Sequence, residues 1–202
     1  MLQDLLRQLL DLSWIDWSAT LLALVYVILA ARQRAIAWIF GIVSCSLWAY
    51  ASFFFYQLYL DALLQLFYVG MGFWGWFSWR KNKTSGGNLS IATLPWQQHL
   101  WIITAGTLIG LLFGYFFAAW TPAAATYPDA LTTIFALFAT LMQVRKILEN
   151  WLYWIVIDAA YAWLYGSRGA WLFMLLMVVY VAIATIAWWQ WQKTYRNNLI
   201  KH

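Results

Sequence analysis

ENWLYWIVIDAAYAWLY, residues 149–165, is long and apolar enough to sit in a membrane, yet Asp158 lies near its middle. Read as a helix, Asn150, Trp154, Asp158, Tyr161 and Tyr165 fall at spacings of four, four, three and four. They form a polar and aromatic stripe along one face. An ionised carboxylate at the bilayer centre costs roughly 2.5–3.5 kcal/mol on insertion scales, so such a residue should face a bundle interior or a wet cavity. An acid flanked by aromatic faces suits an organic cation, because charge pairing and cation–π attraction act together. The plainer alternative is a bond from Asp158 to a neighbouring helix, with no ligand.

The surrounding composition agrees with a membrane setting. Of 202 residues, 65% are hydrophobic and 9% charged, against roughly 25% charged in soluble domains. The net charge of +5 does not point to nucleic acid, because the basic residues lie in short connections between apolar segments. Cys45 is the only cysteine, and His99 and His202 are the only histidines. An intramolecular disulfide and a multi-histidine metal centre are therefore excluded, and no cofactor is expected. The N-terminus lacks a basic region and a small-residue cleavage site, so no removed signal peptide is expected.

Residues 1–13 read as a short amphipathic helix lying in the interface, with Leu2, Leu5, Leu6, Leu9 and Leu10 on one face. Seven spans are expected near 15–31, 35–54, 58–79, 98–119, 127–144, 150–166 and 169–191, each close to the roughly 20 residues a bilayer requires. With seven spans, ten basic residues fall on one side: Arg32, Arg34, Arg80, Lys81, Lys83, Arg145, Lys146, Lys193, Arg196 and Lys201. The other side has only Arg7 and Arg168. That bias places the N-terminus outside and the C-terminus in the cytoplasm. The longest polar connection, Lys81 to Gln97, reads as a cytoplasmic linker. Its Asn88-Leu89-Ser90 sequon then has no meaning. Gly106, Gly110, Gly114 and Ala118 form a row of small residues that admits another helix, in the same chain or in a second protomer.

The two ends of the chain resemble each other. A shift of 115 residues matches Trp48 to Trp163, Tyr50 to Tyr165, Trp74 to Trp189 and Trp76 to Trp191. The expected fold is an all-α integral membrane bundle in a 3+1+3 parallel-repeat plan, plus the short amphipathic helix. Repeat one is 15–79, the linker helix 98–119 and repeat two 127–191. Such plans hold substrate near the midplane between repeats.

The second informative stretch is YLDALLQLFYVGMGFWGWFSW, residues 59–79. Asp61, Gln65, Tyr68, Gly72, Trp76 and Trp79 share a face. Gln65 lies about 10 Å deeper than a water-accessible end, where an amide needs a partner. It suits the hydroxyls or ring nitrogens of a small solute, or a bond across helices. Trp151 and Trp154 could sandwich a planar heterocycle, and Trp151 could equally anchor at the interface. Trp79, Trp188, Trp189 and Trp191 are expected in the aromatic belt. Thr132, Thr133, Thr140 and Gln143 are weak signals, since threonine often bonds its own helix.

These two stretches, with RKILENWLYWIVIDAAYAWLYG from Arg145 to Gly166, resemble the signatures of the PnuC family of vitamin transporters. The resemblance runs from about Trp14 to Lys193. It rests on Tyr59, Asp61, Gln65, Tyr68, Gly75 and Trp76, then on Arg145, Lys146, Glu149, Asn150, Trp151 and Trp154. It implies a SWEET-like architecture and facilitated diffusion of a vitamin precursor across the bacterial cytoplasmic membrane. The precursor is typically nicotinamide riboside, with thiamine as the alternative, trapped by a cytoplasmic kinase. It also implies a homotrimer. By position it makes Trp151, Trp154 and Gln65 substrate contacts. Ser44 and Asp158 stand where some relatives carry asparagine. The candidate binding set is Gln65, Tyr68, Trp151, Trp154, Asp158, Tyr161, Ser44 and Asn150, with no catalytic or metal-binding residue. A membrane-embedded enzyme would need a convergent catalytic set, and His99 has no second histidine within the membrane. A non-transporting assembly subunit is a further alternative, favoured if the Gly106 row binds a partner.

Overall fold

The computed structural model describes residues 2–84, 90–120 and 126–200. Every regular element among them is helical: α1 Leu2–Asp11, α2 Trp14–Ala31, α3 Ala37–Phe54, α4 Tyr59–Thr84, α5 Trp96–Trp120, α6 Thr126–Val144, α7 Asn150–Ser167 and α8 Trp171–Leu199. A helix covers each of the seven expected segments, with α4 and α8 running several residues beyond their expected ends. Asn88 of the sequon lies outside the described residues. At ten residues, α1 is about 15 Å long and cannot cross a bilayer. Among the described residues four helices are both long and apolar enough to do so: α2, α3, α5 and α8. The helices α4, α6 and α7 match them in length. They hold the buried or half-buried polar residues Gln65, Thr132, Gln143 and Asp158, and this lowers their hydropathy.

The chain divides into two compact units, one of residues 1–90 with 189–202, the other of residues 91–188. In the first, α3 packs on both α2 and α4; in the second, α6 packs on both α5 and α7. Within the first unit, α2 begins with a capping box. Ser13 Oγ accepts from the Asp16 amide at 3.2 Å, and Asp16 Oδ2 accepts from the Ser13 amide at 2.9 Å, which satisfies two otherwise orphaned donors. Where α3 meets α4, close approach demands glycine. A Cβ at Gly75 would stand 2.3 Å from the Trp38 ring, and one at Gly72 would stand 2.5 Å from Ile42.

Within the second unit the glycine row of α5 receives α6 of the same chain. Phe135, Leu131 and Tyr127 lie 2.8, 2.7 and 2.6 Å from where Cβ atoms of Gly106, Gly110 and Gly114 would be. The row is therefore a packing seam. The segment entering α5 is also fixed. The Ala92 amide donates to Lys146 O at 3.1 Å, and the Leu148 amide donates to Ala92 O at 2.8 Å.

Two turns carry the same backbone pattern. After α2, the Gln33 amide donates to Ala30 O and the Arg34 amide to Leu29 O, both at 2.9 Å. After α6, the Lys146 amide donates to Gln143 O at 3.0 Å and the Ile147 amide to Met142 O at 2.9 Å. Gln33 (φ 56°) and Lys146 (φ 53°) supply the left-handed residue that this Schellman cap requires. Every member of one turn is 113 residues from its counterpart in the other. The next connection is one residue longer after α3 than after α7, with left-handed Gln57 and Gly169 now 112 apart. The register between the chain's ends is thus 113 and then 112, which corrects the expected 115. Tryptophan is so frequent that chance pairs had defined the longer shift.

The corrected register pairs Trp38 with Trp151, 2% and 1% exposed, and Trp79 with Trp191, 2% and 0% exposed. Trp79 meets the Trp38 ring edge-on at 5.4 Å and the Trp191 ring at 6.1 Å. The Trp191 indole donates to Ala31 O at 2.8 Å. Trp79 and Trp191 are consequently core residues of the first unit, contrary to the expected aromatic belt. Trp189 is largely exposed, unlike these two.

Candidate functional site

In the second unit, α7 carries the stripe that the sequence singles out. Asn150 opens the helix fully buried, and its side-chain amide donates to Ile147 O at 2.6 Å. One turn on, half-buried Trp154 packs against a cluster of Ala136, Ala139 and Ile157, together with Phe135, Tyr153 and Tyr161. Asp158 follows at 7% exposure. Among the described residues no cation pairs with it, so its carboxyl is withdrawn from surroundings without being neutralised by a salt bridge. Tyr161 stacks on Tyr165 at 5.9 Å and 17°. Its hydroxyl lies within hydrogen-bonding reach of Thr132 and Thr133. The sequence reading gave these threonines little weight. Thr132 and Thr140 do bond their own helix, to Pro128 O and Ala136 O, each at 2.8 Å. Even so, α6 turns a hydroxyl-bearing face toward the α7 stripe.

In the first unit the candidates are more dispersed. Ser44 is buried and spends its hydroxyl on Ala19 O at 2.8 Å, joining α3 to α2. Gln65 and Tyr68 lie half-buried one turn apart on α4, where a side chain from each can share a face. Above them Asp61 accepts a hydrogen bond from Ser52, and Arg80 lies 4.9 Å over the Trp76 ring at the other end. The structure therefore brings Trp154, Asp158 and Tyr161 together on one helix face. It gives Ser44 and Asn150 backbone partners of their own, and buries Trp151 beneath the start of α7.

A cavity of about 610 Å3 opens elsewhere in the second unit, among α5, α6 and α7. Its walls include Ile103, Leu131, Phe135, Leu152 and Val156. His99 and Tyr153, hydrogen-bonded at 3.1 Å, lie at its polar end. None of the eight candidate residues lines it. Sequence reasoning missed this space because an apolar groove on a membrane helix looks like any other lipid-facing surface. Among the described residues no group of three histidine, cysteine or acidic side chains could hold a metal ion.

Comparison with known proteins gives one answer. The chain is 27% identical over 199 residues to the nicotinamide riboside transporter PnuC of Escherichia coli, covering 86% of this chain and 83% of that one. It is 24% identical over 201 residues to PnuC of Neisseria mucosa, covering 92% and 74%. It is 25% identical over 186 residues to the riboflavin/roseoflavin transporter RibM of Streptomyces davaonensis, covering 87% and 84%. The crystal structure of the vitamin B3 transporter PnuC matches the fold with a TM-score of 0.73 at 24% identity, over 97% of this chain and 90% of that chain. Residues 13–193 match the model of the nicotinamide mononucleotide transporter family, and over that span, nearly its whole length, the chain belongs to this family of membrane transporters.

Proposed function

We propose that the chain carries nicotinamide riboside into bacteria across the cytoplasmic membrane by facilitated diffusion. The observation that carries the reading is Asp158, buried in the aromatic stripe of α7 with no cation of the described residues paired to it. A buried carboxylate without a counter-ion is costly, and a cationic pyridinium riboside would supply the missing charge. The same charge argument favours nicotinamide riboside over riboflavin, which is neutral, although RibM is among the relatives. It does not separate nicotinamide riboside from thiamine. The kinship with PnuC proteins favours nicotinamide riboside.

In this reading Trp154 and Tyr161 flank the pyridinium ring and Asp158 faces its charge, while Gln65 and Tyr68 are the polar candidates that the first unit offers. Trp151, Asn150 and Ser44 hold the helices that present them. Seven helices span the membrane as repeat one, linker α5 and repeat two. The matched turns at a spacing of 113 support that plan. The basic connections lie in the cytoplasm, so the N-terminus is outside. A cytoplasmic kinase traps the product, and the protein works as a trimer. The glycine row is taken up by α6 of the same chain, which removes the feature that would have favoured an assembly subunit.

The test is thermal stabilisation of the detergent-solubilised protein by nicotinamide riboside, thiamine and riboflavin, followed by counterflow in liposomes without an ion gradient. Stabilisation by nicotinamide riboside above thiamine, with none by riboflavin, is expected. Strict dependence of counterflow on a proton or sodium gradient would refute facilitated diffusion.

A further inference from the structure

At the ends of the two units away from the 32–36 and 145–149 turns, one arrangement recurs in two chemistries. Asp16, in the first turn of α2, accepts from the Tyr56 hydroxyl at 2.7 Å, and Tyr56 stands in the connection from α3 to α4. Asp129, in the first turn of α6, meets Arg168 at 3.8 Å, and Arg168 stands in the connection from α7 to α8. Asp16 and Asp129 are 113 residues apart, the register set by the turns. Arg168 is the counterpart of Phe55, one residue before Tyr56, where the α3–α4 connection has its additional residue. Each acid begins the first helix of its three, and each partner comes from the link between the second and third.

The two versions differ in environment. Asp16 is 2% exposed, and its Oδ2 also takes the Ser13 hydroxyl at 2.8 Å. Burial, and then the hydrogen bond to Asp16, hold the Tyr56 phenol above its ordinary range, so it remains a donor at neutral pH. Arg168 and Asp129 keep 39% and 45% side-chain exposure. An exposed pair of this kind adds little to folding stability, so stability alone does not explain why a contact from this connection to the first helix recurs one residue from the matching position.

We propose that Tyr56 and Arg168 are positioning residues for transport, latching the far connection of each helix triplet to the triplet's first helix so that the three move as one body. The inference rests on the reading of the chain as a transporter. The second latch is screenable, because two exposed charges lose most of their attraction as salt shortens the Debye length from about 10 Å at 0.1 M to 3 Å at 1 M.

The experiment uses full-length protein in liposomes, with nicotinamide riboside uptake resolved into KM and maximal rate. Arg168→Gln and Asp129→Asn should each lower the maximal rate roughly two- to fivefold, the range that corresponds to a surface ion pair. KM and thermal unfolding should stay unchanged. The exchange Asp129→Arg with Arg168→Asp should restore the rate, and 1 M salt should slow the native protein but not the single variants. Native rates in both single variants, or an exchange no better than either, would overturn the latch. If native protein moves no nicotinamide riboside, the substrate reading fails instead, and the latch is then read by amide exchange in detergent. Arg168→Gln should speed exchange at Gly169 and Ala170, and unchanged exchange there would overturn the proposal independently.

Discussion

The α2–α3 pair and the α6–α7 pair share a backbone register but fill their cores from opposite sides. In the first unit the large ring comes from α2: Tyr26 lies against Gly41, whose Cβ would stand 3.0 Å from it, and leans on Trp38 with ring centroids 5.6 Å apart. At the matching positions 113 residues on, α6 has Ala139 and α7 has Trp154. The large ring now projects from α7. One position set stays constant, Trp38 and Trp151, both buried beneath the start of the second helix. A third set diverges in chemistry, with Cys45 in α3 corresponding by position to Asp158 in α7. The tryptophan kept alike in both units therefore supports the fold, and the position that differs, Asp158 in place of Cys45, is the one that the proposed binding reading uses.

The turns repeat the lesson. Around Gln33 the turn is open, with Arg32 and Arg34 exposed. Around Lys146 the same turn is buried, because Ala92 bonds both Lys146 and Leu148, and the Leu94 amide reaches Glu149 Oε2 at 3.3 Å. Among the described residues the strap is present on the second turn alone, next to the candidate stripe of α7.

The strongest way to break this comparison is to truncate the shared tryptophans. Trp38→Ala and Trp151→Ala should each cost about 3–5 kcal/mol, as large buried rings do, measured by thermal unfolding in detergent. If Trp151→Ala unfolds normally and only binding suffers, Trp151 belongs to the substrate site and the pairing with Trp38 is superficial.

Next comes the diverged position. Asp158→Asn should weaken nicotinamide riboside binding about tenfold or more, the equivalent of about 1.4 kcal/mol or more, while Cys45→Ser leaves affinity within about twofold. Calorimetry decides this, and equal affinity for the Asp158 variant removes the carboxylate from the substrate's surroundings.

The strap is a smaller test. Ala92→Pro deletes the donor to Lys146 O, and losing that bond should cost about 1 kcal/mol. Faster amide exchange at Leu148 with no change at Arg34 would show that the second turn alone depends on the strap. The smallest effect concerns left-handed residues. Gln33→Gly should gain roughly 0.5–1 kcal/mol by relieving the Cβ at positive φ. Lys146→Gly should gain nothing, because its side chain is buried and its removal forfeits packing.

Much of the helical plan was legible in the chain itself. Runs of apolar residues near the length of a bilayer, broken by basic connections, place helices α2 to α8 to within a few residues of their ends, except the late ends of α4 and α8. The Asn150–Tyr165 stripe was legible too, since a 3.6-residue period fixes which side chains of one helix share a face. Trp79, Trp191 and the partner of the Gly106 row were not. Hydropathy measures transfer out of water, and lipid and protein interior are alike in that respect, so the index cannot tell a belt tryptophan from a core one. The register of 113 was also hidden, because it resides in turn hydrogen bonds rather than in repeated side chains. Sequence alone determined that the chain is helical, membrane-bound and marked by an acid where none is cheap. Tertiary structure decided which rings support and which are presented, because only contact across helices distinguishes a buried face from a lipid-facing one.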